Sequence, residues 1–92
     1  MVEKNAVIMT TQADRFVRML CKHFSHKVNA DWGDEQGWVE FAMGRCELSA
    51  EPQQLLVRCH ADNEADLEVV TDTIKSHFDR FAQKQQLTLN WR

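Results

Sequence analysis

Cys21-Lys22-His23-Phe24-Ser25-His26-Lys27 gathers a thiol, two imidazoles and two ammonium groups in one short run, and His77 and Arg80 add a third imidazole and a guanidinium further along. Neutral imidazole ligates metals and titrates near neutral pH, a thiol is inert or nucleophilic according to its pKa, and lysine offers a point charge to anions. These residue types can serve a metal, an anion or a proton in transit. Which of these is open to them depends on the elements that carry them.

Ala13, Phe16, Val17, Leu20, Cys21 and Phe24 recur at three- and four-residue spacings, which predicts a helix from Gln12 to His26 capped by Thr11. At about 100° per residue, Cys21 and His23 point about 160° apart and cannot share one ion, whereas His23 and His26 are neighbours. Two imidazoles are too few for a zinc site. The third ligand would be His77, which lies beside the Leu67, Val70, Ile74, Phe78 and Phe81 stripe of a second helix. The metal-ligand candidates are thus His23, His26 and His77. The candidates for binding an anion are Lys22, His23, His26, Lys27, His77 and Arg80. The bland alternative is that these histidines satisfy backbone or carboxylate partners at the edge of the core.

Asn5 to Thr10 reads as a buried strand, and Val28, Ala30 and Trp32 alternate with polar residues in a second, ended by a Gly33–Gly37 loop. Trp38 to Met43 and Cys46 to Glu51 follow, with Gly44-Arg45 as the expected hairpin turn, which pairs Met43 with Cys46. A reversal at Pro52-Gln53 pairs Cys46 with Cys59, Leu48 with Val57 and Glu47 with Arg58. The second helix starts at Asn63 and Asp66, runs to about Gln85, and precedes a terminal strand or docked tail carrying Leu87, Leu89 and Trp91. The order β-α-β-β-β-β-α gives an α+β two-layer sandwich, an antiparallel sheet with two helices on one face, the order of a TATA-binding-protein-like repeat. Glu40, Glu47, Ser49, Glu51, Arg58 and His60 would line the open face.

The chain, 1–92, is one domain's length, with 43% apolar and 27% charged residues. A net charge of -3 argues against bulk attraction to nucleic acid or anionic membrane, and no apolar run is long enough to span a bilayer. Cys21, Cys46 and Cys59 cannot all pair within one chain, and no secretory signal precedes them, so a cytoplasmic location is expected. Each falls in an apolar row, which gives it a structural role as a small hydrophobe. No glycine-rich phosphate loop, nucleophile elbow or paired zinc motif occurs, and no cofactor is evident beyond a metal at the histidines.

Leu20-Cys21-Lys22-His23-Phe24-Ser25-His26-Lys27, Gly44-Arg45-Cys46-Glu47-Leu48, His77-Phe78-Asp79-Arg80-Phe81-Ala82 and Trp91-Arg92 resemble a bacterial family, domain of unknown function 2218. The resemblance implies companionship with siderophore-uptake proteins and hence an iron-handling context. The resulting expectation is a small cytoplasmic binding or accessory module, more a binder than an enzyme, taking an anionic small molecule or meeting a siderophore-pathway protein. Two other classes stand beside it. One is a metal-dependent or acid/base enzyme using His23, His26 and His77; the other is a dimerisation module using the sheet edge or the tryptophans.

Overall fold

The computed structural model describes residues 1–85 and 87–92. In chain order its elements are β1 (Val2–Met9), α1 (Ala13–Phe24), β2 (Asn29–Trp32), β3 (Gln36–Phe41), β4 (Gly44–Glu51), β5 (Gln54–Ala61) and α2 (Glu64–Phe81), then a 3-10 turn at Gln83–Gln85. The five strands form one sheet in the order β1-β5-β4-β3-β2, every neighbouring pair antiparallel. Alternation assigns Ala6, Ile8, Val39, Cys46, Leu48, Leu55, Val57 and Cys59 to one face, where all are buried under the two helices. The fold class read from the sequence holds.

The β4–β5 register is the expected one, with Cys46 opposite Cys59, Leu48 opposite Val57 and Glu47 opposite Arg58. Arg58 nevertheless forms its ion pair with Glu3 of β1, at 2.8 Å, rather than with Glu47. The β3–β4 hairpin corrects the expectation. Val39 faces Cys46 and Phe41 faces Gly44, so the turn residues are Ala42 and Met43, and Met43 does not pair with Cys46. The slip is four residues, an even number, so every apolar residue keeps its face.

Gly44 therefore lies inside β4, and its requirement is space rather than a turn conformation. A Cβ there would stand 2.5 Å from the His60 carbonyl oxygen and 2.9 Å from Val70 Cγ2 of α2. Gly37 likewise lies in β3 rather than in the expected loop, and a Cβ there would stand 2.6 Å from Cys21 Sγ.

Helix α1 is shorter than predicted. Its N-cap is Gln12 rather than Thr11, with no side-chain capping bond, and it stops at Phe24. The Phe24 carbonyl accepts from the amides of Lys27 and Val28, at 3.0 and 2.9 Å, which closes the helix end and leaves His26 in the following turn. Asn63 caps α2 by accepting from the Asp66 amide at 2.9 Å. The last residues form no strand. They dock as a tail, with Leu89 fully buried and the Arg92 amide donating to the Asn5 carbonyl at 2.7 Å. No helix among the described residues is long and apolar enough to cross a membrane.

Candidate functional site

His23 lies seven residues beyond Phe16, about 20° from it around the axis of α1, and His77 lies four before Phe81, about 40° from it on α2. Each imidazole rides the flank of its own helix's apolar stripe. Packing the stripes on one sheet face therefore brings the rings together. Their centroids are 4.9 Å apart, tilted by 47°. Phe24 lies 4.7 Å from the His77 ring, while Phe24 and Phe81 each turn edge-on to His23 at 5.4 Å. Phe24 in turn meets Phe41 of β3 at 5.4 Å, which ties the imidazole pair to the sheet.

The His77 Nδ1–H donates to the Thr73 carbonyl one turn back, at 2.7 Å. That bond occupies Nδ1 and leaves Nε2 as the free ring nitrogen, which offers a lone pair to a metal when unprotonated and a donor to an anion when protonated. His23 is held below the ordinary imidazole range, first by partial loss of water, then by the nearby His77, Arg80, His26 and Lys27. His77, His26, Lys27 and Arg80 thus act electrostatically on one ring. Lys22 is exposed and, one residue before His23, points about 100° away from it around α1. Asp79, a carboxylate two residues beyond His77 on α2, is engaged by Lys75 at 2.8 Å.

Among the described residues no three His, Cys, Asp or Glu side chains come together as ligands for one ion. The histidines form a pair, with His26 in the turn beyond, rather than the three-ligand set His23, His26 and His77. The arrangement can hold an oxyanion between imidazolium and guanidinium donors, or pass a proton between rings.

A hollow of about 290 Å³ meets this cluster at Arg80 and Phe81, although neither histidine lines it. Arg15 and Lys84 also line it, two cations that sequence reasoning missed. The available signal was the spacing of Gln12, Arg15 and Met19 on α1 and of Arg80 and Lys84 after it. Nothing in either spacing says that those flanks meet. A larger hollow, of about 1010 Å³, lies on the open sheet face over Val7, Ser49, Leu56 and Trp38, and holds none of the predicted site residues.

The three cysteines are buried and free. Burial pushes the Cys21 thiol up to about 11, with Asp31 adding to the rise and a backbone hydrogen bond at Trp38 opposing it. Burial, with Cys59 beside it, also pushes the Cys46 thiol well up. A thiol-reactive dye at about pH 8 is therefore expected to label none of them in the native protein and all of them after denaturation. Rapid native labelling of Cys21 would show that the α1–β3 contact opens.

The family model for an uncharacterized protein conserved in bacteria, DUF2218, matches residues 5–92. The chain belongs to this family. It is also similar to a solved NMR structure, that of PA4090 from Pseudomonas aeruginosa, with a TM-score of 0.82 and 29% identity over 100% of this chain and 96% of that one. No curated protein matches it. Both similarities agree with a small α+β module; neither names a ligand or a reaction, and the siderophore association finds no support in them.

Proposed function

We propose that the protein is a binding module for a small anionic ligand, held where the C-terminal end of α1 meets α2 by His23, His77 and Arg80, with His26 and Lys27 at the rim. The observation that carries this reading is the 4.9 Å approach of two imidazoles from different helices within reach of three further basic side chains, in a chain whose net charge is -3. A purely structural histidine pair has no need of more positive charge around it. An anion seated beside the ring pair, toward Arg80, offsets the positive charge that disfavours protonated His23. A carboxylate- or catecholate-bearing molecule suits these donors, which is also the ligand chemistry of the siderophore context.

Citrate and salicylate, titrated while histidine ring resonances are followed by NMR, test the reading. His23 and His77 are expected to shift together, and unperturbed rings at millimolar probe would overturn it.

The pH dependence has a definite sign. His23 titrates below its ordinary range in the free fold, and a bound anion favours its protonated form, so the affinity for salicylate, whose carboxylate stays ionised throughout, rises as pH falls, by roughly tenfold between about pH 7.5 and about pH 5.5. Without anion, the unfolded chain binds the proton more readily. His23's contribution to stability is therefore full above about 6.5 and is lost as pH falls through the folded value. His23→Gln is expected to flatten both profiles, measured by titration and by urea melts.

A further inference from the structure

We infer that the 290 Å³ hollow between the start of α1 and the end of α2 is a second binding site, for a small organic oxyanion with an aromatic or short aliphatic body. Three cations line it, Arg15 from α1, Arg80 from α2 and Lys84 from the 3-10 turn, and no carboxylate does. None of the three belongs to an ion pair among the described residues, as Arg18, Arg45, Arg58 and Lys75 do; Lys4, Lys22, Lys27 and Arg92 are also outside any ion pair there, so what sets these three apart is that they meet at one hollow. Charges that converge on one concavity without a counter-charge form a field that favours an anion.

Arg80 and Lys84 stand at the carbonyl end of α2, where the helix dipole favours cations in any case. Arg15 is different. It stands in the first turn of α1, where the dipole opposes a cation, and the adjacent Asp14 pairs with Arg18 rather than with it. Gln12, the N-cap of α1 with no side-chain capping bond, also lines the hollow and offers a carboxamide donor. An oxyanion seated there meets guanidinium, ammonium and amide donors together.

The remaining wall selects the body of the ligand. Phe16, Met19 and Phe81 are apolar and reach the hollow, and Phe81 also meets His23 edge-on at 5.4 Å. Roughly ten water volumes of about 30 Å³ each would fill the 290 Å³, which is room for an organic anion rather than a bare ion. This site goes beyond the histidine site and shares only Arg80 with it, so the test leaves Arg80 intact.

Phenyl phosphate is the probe, with inorganic phosphate and phenol as its separate halves, followed by amide shifts at Gln12 and Arg15 and by the Met19 methyl. Phenyl phosphate is expected to shift these signals and to bind about tenfold or more tightly than either half. The Arg15→Gln, Lys84→Gln double variant is expected to weaken it by about tenfold or more. Both side chains are exposed, so the variant keeps its fold. His23→Gln, which removes the citrate response of the first site, is expected to leave phenyl phosphate binding unchanged. Absent shifts, or equal affinity in the double variant, would overturn the site. Equal affinity for inorganic phosphate would overturn the apolar half of the assignment.

Discussion

Phe78→Ala is expected to destabilise the protein by about 3–5 kcal/mol. Phe78 is fully buried, and its ring lies 5.3 Å from that of Phe16, so it joins α2 to α1 as well as to the sheet. Removing it deletes the transfer energy of an aromatic ring and leaves a void that two helices capped at fixed points can only partly close. A domain of 92 residues has roughly 5–14 kcal/mol in total at about 0.05–0.15 kcal/mol per residue, so about a fifth or more of the stability would disappear. Urea unfolding checks this through a lower midpoint at unchanged slope. A loss under about 1 kcal/mol would mean that the helix layer is not packed through this ring. His77 is the next residue back, so the variant should also loosen the imidazole pair and broaden its NMR signals.

The second large effect is a gain of volume. Gly44→Val places a branched side chain where even a Cβ stands 2.5 Å from the His60 carbonyl oxygen and 2.9 Å from Val70 Cγ2. The carbonyl belongs to the neighbouring strand and cannot swing aside, so β4 must separate from β5 or α2 must lift. A loss of about 3 kcal/mol, at the upper end of the overpacking range, is expected in the same urea assay. Gly33→Ala provides the contrast. Its Cβ would meet nothing within 4 Å and its backbone is not left-handed, so the change is expected to be neutral or to stabilise by up to about 1 kcal/mol through the unfolded chain. Equal tolerance at the two glycines would refute the close approach of β4 to α2.

Gly44 also shows where sequence reasoning stops. Alternation fixed which face each residue of β3 and β4 takes, and any even slip satisfies alternation equally well. A glycine beside an arginine reads as a turn, because turns are where glycine's backbone freedom is most often needed. The deciding fact is instead the passage of Val70 and the His60 carbonyl over that position, which no local pattern records. The β4–β5 register was legible because Pro52-Gln53 leaves a single short reversal between two alternating runs, with Cys46 and Cys59 then forced opposite each other. The end of α1 was overrun by two residues for a related reason. Ser25 and His26 carry no apolar signal against helix, and the stop is made by amides of Lys27 and Val28 folding back on Phe24.

The candidate site divides in the same way. His23 and His77 could be read as partners because each follows the apolar stripe of its helix, and two stripes on one sheet face must meet. Arg15 and Lys84 could not, since a cation on a helix flank looks like any solvated charge until another element is laid beside it. Composition and periodicity thus determined the element order, the buried faces of the helices and of β2 to β5, and the burial of the three cysteines, whereas β1 reads as a wholly buried strand and in fact buries Ala6 and Ile8 while Met9 is 62% exposed. Tertiary structure decided the hairpin slip, the need for Gly44 and Gly37, the 4.9 Å imidazole contact and the gathering of three cations around one hollow. The physical reason is range. Period and propensity act over a few residues along the chain, whereas distances across the helix layer are set by the volumes of side chains packed between elements that the sequence keeps far apart.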